Sequence, residues 1–118
     1  SQDVLLGGLK NFAECSLAST GQEAVDLYHK AMETKKPFDF ILLDVTMPEK
    51  DGFQVLKDIR FHEKSLRDNK QDSFVIMVTA YRDSLMEKYN MGWDDFIIKP
   101  VDPRTLIHHM KNLILSRV

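Results

Sequence analysis

An α/β domain built on a parallel sheet is the fold class this sequence predicts, and three observations point to it. Short apolar segments recur with helical stretches between them. The clearest two, Asp39 to Leu43 and Phe74 to Val78, are apolar on both faces instead of alternating, as strands covered on both sides by helices are. At 118 residues the chain has room for one ordinary core and not for two. The expected architecture is an open, doubly wound parallel sheet with helices on both faces.

Each element has its own justification. Glu14 to Ala18 alternates Cys15 and Leu17 against Ser16 and Ala18, which suits an edge strand. Thr20-Gly21-Gln22-Glu23 has capping-box spacing, and Ala24, Leu27, Tyr28 and Ala31 continue it as one apolar stripe of a helix. Gly52 to Phe61 places Phe53, Leu56 and Ile59 on one side of a second helix. Glu63 to Asp72 is a polar, charged connector and reads as a solvated loop or helix end. A short helix is expected from Ser84 to Tyr89, closed by Gly92, and a short apolar strand from Phe96 to Ile98. Asp102-Pro103 supplies a cap and a first-turn proline, and Leu106, Met110, Leu113 and Ile114 form the buried face of a last helix.

Composition narrows the function classes. With 29% charged residues and a formal charge of −2, the chain has a globular profile and no basic stripe, so nucleic acid is not an expected direct partner. Cys15 is the only cysteine, which rules out an internal disulfide and a thiolate metal cluster and fits a cytoplasmic setting. No apolar run approaches the roughly 20 residues of a membrane span.

In an open α/β sheet the ligand crevice lies beyond the carboxyl ends of the strands. Those ends carry Asp44, then Thr79-Ala80, then Lys99-Pro100. Taken singly, Asp44 reads as a turn or cap acid, Thr79 as ordinary strand propensity and Lys99 as a solvated charge. Together, an acid, a hydroxyl and an amine suit transfer of a phosphoryl group onto the acid. Asp44 would be the nucleophile, Thr79 a hydrogen-bond donor to a phosphate oxygen, and Lys99 a compact cation. Hard oxygen ligands beside phosphate suit Mg²⁺.

LLDVTMPEKDGFQVL, IMVTAY and DDFIIKPVDP, in that order, resemble the successive motifs of the response-regulator receiver domain of two-component signalling. The resemblance implies a flavodoxin-like fold across residues 1–118. It also implies a phosphoacceptor domain, not an enzyme of turnover, that takes a phosphoryl group from a histidine kinase or phosphotransfer protein. Asp44 is then the phosphoacceptor, Thr79 the switch hydroxyl, Lys99 the phosphate-sensing lysine and Phe96 the switch aromatic. Thr46 and Tyr81 fall where the family tunes phosphoryl lifetime. By the same resemblance Mg²⁺ would be held by Asp44 and the main-chain carbonyl of Thr46, and Lys99-Pro100 is expected to be cis. The surface around Tyr89, Phe96 and Val101 would meet an output domain or protein.

The chain departs from that pattern at its start. The family opens with an apolar strand ending in an acidic pair that holds Mg²⁺, and neither is found here. Val4 to Phe12 aligns instead with the back half of the first helix, and Asp3 is a poor stand-in for the pair. The expectation is therefore a domain incomplete at its N-terminus, with weak Mg²⁺ binding. The incomplete sheet would be closed by a shifted ECSLA strand, by a second copy in a homodimer or domain swap, or by residues of a longer parent chain.

Two rival readings remain beside this one. One is a phosphorylation-impaired, receiver-like docking module. The other is a phosphatase of the haloacid-dehalogenase type, which needs a second acid two residues after the nucleophile, where this chain has Thr46. His29, His62, His108 and His109 are read as surface or helix-packing residues, and Trp93 as packing before the last strand or marking a partner surface.

Overall fold

The computed structural model describes residues 20–46, 50–66, 72–82 and 92–117. The expectations for residues 1–19, including the helix at 4–12 and the strand at 14–18, and for the helix at 84–89 lie outside the described residues.

Among the described residues three parallel strands form the sheet, in the order β1 (Phe40–Asp44), β2 (Phe74–Thr79), β3 (Asp95–Ile98). β1 is shifted one residue later than expected, β2 runs one residue further and β3 begins one residue earlier, because the ladder takes in Asp44, Thr79 and Asp95. Asp44 is the last rung of β1, opposite Val78, and Thr79 the last of β2, opposite Ile98. β2 is buried along its whole length, as a central strand without alternation must be.

The pleat sorts the side chains onto two faces. Leu43, Val75 and Met77 pack against helices α1 (Gly21–Glu33) and α2 (Gly52–Ser65), with Val25, Tyr28, Val55, Leu56 and Ile59 completing that core. Ile76 and Ile97 pack against Leu106 and Met110 of helix α3 (Pro103–Ser116). The doubly wound arrangement is thus present, with helices on both faces. At the amino-terminal end of the sheet Phe40 stacks on Phe74, and the Arg117 guanidinium lies over the Phe74 ring, fastening the end of α3 to the sheet.

Local chemistry sets the helix ends. The Thr20 hydroxyl accepts the Glu23 N–H, Asp51 and Gln54 form a reciprocal capping box, and the Asp102 carboxylate accepts the Arg104 N–H ahead of Pro103. Three helical expectations need correction. The buried line of α1 runs through Gly21, Val25 and Tyr28, so Val25 replaces Leu27 and Ala31 as its centre. α2 continues to Ser65, four residues past Phe61, because Glu63 is buried and bonded instead of solvated. Ile114 is exposed, since the stripe on α3 drifts off the sheet after Met110 and Leu113.

Tyr28 is buried between α1 and α2, with its hydroxyl 3.2 Å from His62 Nδ1. Burial pushes its phenol up to about 12, the Glu63 and Asp72 carboxylates add to the rise, and the Arg60 guanidinium opposes it. A phenol that holds its proton more tightly when folded contributes stability fully below its ordinary value of 10.0 and loses it as the pH climbs through about 12. The urea midpoint is therefore expected to fall more steeply over that window in the native sequence than in Tyr28→Phe. Parallel curves for the two proteins would contradict it.

Candidate functional site

The three residues expected to act together sit at three adjacent strand ends. Asp44 closes β1, Thr79 closes β2, and Lys99 follows β3, with its N–H donating to the Thr79 carbonyl at 2.8 Å. Because β2 separates β1 from β3 and neighbouring strands lie about 4.8 Å apart, the Lys99 side chain must cross the end of β2 to reach β1. It does so: Nζ donates to Asp44 Oδ2 at 2.5 Å, passing over the strand end where Thr79 stands. The other oxygen, Oδ1, accepts the Thr46 N–H at 2.9 Å. Lys99-Pro100 is cis, as expected.

Both partners of the Lys99–Asp44 pair are open to solvent, at 41% and 36% exposure of their side chains. Ion pairs so exposed contribute about 0–1 kcal/mol, so fold stability gives no reason to place them there. Thr79 is buried, and its hydroxyl donates to the Tyr81 carbonyl and accepts the Tyr81 N–H, both at 3.2 Å. Tyr81 itself projects into solvent. Phe96 is half-buried against the α1–α2 core, edge-on to Trp93 with 5.7 Å between ring centroids.

The expected partner surface needs a correction. Phe96 and Val101 do not form one exposed face: both are half-buried, and they pack into different cores on opposite sides of the sheet. Among the described residues, the exposed large apolar side chains at this end are Tyr81 and Ile98. Tyr89 lies outside the described residues. The histidines fill packing roles: His29 and His62 meet edge to face at 4.8 Å between centroids, and His109 pairs with Asp95 at 2.6 Å.

Two glycines that sequence reasoning passed over shape the site. A Cβ on Gly52 would lie 2.4 Å from the Asp44 carbonyl oxygen and 3.1 Å from the Val45 Cα. A Cβ on Gly21 would lie 1.9 Å from the Lys50 carbonyl oxygen. The one available signal was the Asp51-Gly52 dipeptide following Asp44; nothing in the letters marks Gly21 as touching Lys50.

The family model described as the response regulator receiver domain matches residues 3–111. This chain belongs to that family. It is 37% identical over 99 residues to the transcriptional regulatory protein SrrA of Staphylococcus aureus, an alignment covering 82% of this chain and 36% of SrrA. The chain thus spans little more than a third of the length of the curated relatives it matches. Among solved structures it resembles a chain of the CheX–CheY–BeF3–Mg complex of Borrelia burgdorferi, with TM-score 0.77 and 25% identity over 96% of this chain and 80% of that one. A second likeness is to a chain of the Saccharomyces cerevisiae complex between the histidine phosphotransfer protein Ypd1 and the receiver domain of Ssk1. There the TM-score is 0.78 and the identity 24%, over 93% of this chain and 78% of that one. The flavodoxin-like receiver fold is thereby established. No helix among the described residues is long and apolar enough to cross a membrane.

Among the described residues no group of three or more His, Cys, Asp or Glu side chains gathers as a metal site. Beside Lys99 they offer the Asp44 carboxylate, followed two residues later by the Thr46 carbonyl. That donor set fits Mg²⁺ as a partial shell, because Mg²⁺ keeps several waters and binds through one or two carboxylates together with phosphate oxygens.

Proposed function

We propose that residues 1–118 belong to one receiver domain whose Asp44 accepts a phosphoryl group from a phosphohistidine donor, a histidine kinase or a phosphotransfer protein, in the cytoplasm. The observation that carries this reading is the Lys99–Asp44 contact across the end of β2, made by two exposed side chains that stability alone does not require.

The chemistry follows from the placement of the groups. An Asp44 oxygen attacks phosphorus, the new O–P bond forms an aspartyl phosphate, and the N–P bond to the donor imidazole breaks. Lys99 transfers its hydrogen bond from Oδ2 to an oxygen of the incoming group and keeps the cation where the charge arrives. Thr79 gives up the Tyr81 carbonyl and donates instead to a second phosphoryl oxygen. That movement draws the Thr79–Tyr81 segment toward Asp44 and vacates space into which Phe96 packs. Asp44 and the Thr46 carbonyl would hold Mg²⁺, which would supply neutralisation of charge at the phosphoryl oxygens. Thr46 and Tyr81 flank the group and set the access of water, hence its lifetime. An output domain or protein would read the switch at the carboxyl end of the sheet, where Tyr81 and Ile98 expose apolar surface.

Incubation with acetyl phosphate and Mg²⁺, followed by intact-mass analysis, tests the proposal. One labile phosphoryl adduct is expected, and Asp44→Asn is expected to abolish it while leaving the fold intact. No adduct on the native chain would favour a docking module, and steady hydrolysis of a phosphomonoester would favour a phosphatase.

A further inference from the structure

We infer that Gly21, at the start of α1, is a positioning residue for the phosphoacceptor, acting through the backbone of Lys50. Two close contacts join in series. Gly21 lies against the Lys50 carbonyl so tightly that a Cβ there would overlap the oxygen and would come within 2.5 Å of the Lys50 Cβ. Two residues further along, Gly52 lies against the Asp44 carbonyl, with a virtual Cβ at 2.4 Å, and its N–H donates to the Val45 carbonyl at 3.2 Å. Asp51, between Lys50 and Gly52, is fixed by its capping box with Gln54. The N-terminus of α1 therefore bears on Lys50, Lys50 moves with Asp51 and Gly52, and Gly52 bears directly on the residue that carries the carboxylate.

The Lys50 side chain has little freedom to absorb a displacement, because its ammonium pairs with Asp58 on α2. Nor can Asp44 yield easily on its far side, where Val45 N–H donates to the Val78 carbonyl at 2.9 Å and holds the end of β1 against β2. A methyl group at position 21 thus has to push Lys50 away from α1. The displacement reaches the turn that supplies the Thr46 N–H to Asp44 Oδ1. Close-packed contacts transmit such shifts because there is no void to take them up.

The test compares Gly21→Ala with Thr20→Ala, which removes the cap of the same helix but adds nothing beside Lys50. Amide spectra and acetyl phosphate labelling are recorded on both. Gly21→Ala is expected to move the Thr46 and Gly52 amide resonances and to slow labelling of Asp44 roughly tenfold, as misplacement of a reacting group does. Thr20→Ala should leave both close to native. Unmoved Thr46 and Gly52 resonances in Gly21→Ala, or equal slowing in the two variants, would overturn the inference. If Gly21→Ala does not fold, Asp58→Asn replaces it, freeing Lys50 without adding an atom. It should shift the Gly52 resonance and slow labelling by roughly threefold, and no change in either would overturn the inference. The labelling arm rests on the phosphoacceptor reading. Absence of labelling in the native chain would sink that reading alone, since the resonance shifts still decide the coupling.

Discussion

Gly52→Ala is expected to destabilise the domain by about 2 kcal/mol and to slow phosphorylation of Asp44 by roughly tenfold or more. Two opposite effects compete at this position. Alanine is the better helix former, by about 1 kcal/mol in a helix interior, and Gly52 is the first residue of α2. Against that, the new methyl would sit 2.4 Å from the Asp44 carbonyl oxygen and 3.0 Å from its carbon. Those are main-chain atoms of a strand held by β2 through the Val45–Val78 hydrogen bond, so β1 cannot retreat without breaking its ladder. The first turn of α2 has to withdraw instead. Withdrawal stretches the Gly52 N–H to Val45 carbonyl bond and loosens Val55 and Leu56, both fully buried beneath it. Overpacking of this kind costs typically 1–3 kcal/mol, enough to outweigh the gain in propensity. Urea denaturation and acetyl phosphate labelling on the same preparation check both halves. A variant more stable than native that labels at the native rate would mean the contact is softer than its geometry implies.

That glycine also marks where sequence reasoning stopped. The strands were legible because burial on both faces leaves a local signature, an unbroken apolar run, and β2 between two neighbours has the cleanest one. The site was legible for a related reason: in a parallel sheet the carboxyl ends share one edge, so Asp44, Thr79 and Lys99 could be brought together from strand positions alone. Glycine and glutamate carry no such signature. Whether Gly21 must be glycine depends on Lys50, and whether Glu63 is solvated depends on Arg60 and on Ser73, ten residues further along. Read by its letters, Glu63 begins a charged connector; in the fold it is 4% exposed and among the best-bonded side chains of α2. The helix stripes failed differently. A 3.6-residue period gives the spacing of a buried line but not its phase against the sheet, so Val25 was passed over and Ile114 was placed inside.

Arg60→Ala is expected to cost about 3 kcal/mol, an effect the exposed Lys99–Asp44 pair cannot approach. The Arg60 guanidinium donates to Glu63 Oε1 at 2.6 Å, the Ser73 carbonyl at 2.8 Å, the Gly92 carbonyl at 2.9 Å and Asp94 Oδ2 at 2.8 Å. It therefore ties α2 to the entry of β2 and to the segment leading into β3. The two acids complete the network: Glu63 Oε2 accepts the Ser73 N–H and Asp94 Oδ2 the Val75 N–H. Removing the cation leaves the Glu63 carboxylate buried without it and two carbonyls without their donor, which is the costly way to break a buried pair. The side chain of Arg60 is 16% exposed, so water can enter, and the loss should fall at the low end of the 3–5 kcal/mol seen for fully buried pairs. Arg60→Lys should recover only part of the loss, because an ammonium keeps the charge but cannot present donors to four acceptors at once. Since this network lies at the amino-terminal ends of β2 and β3, away from Asp44, folded Arg60→Lys protein should still accept a phosphoryl group at close to the native rate. A lower urea midpoint with unchanged labelling would separate what holds this sheet together from what reacts at its other end. A loss below about 1 kcal/mol in Arg60→Ala would place the network with ordinary surface ion pairs.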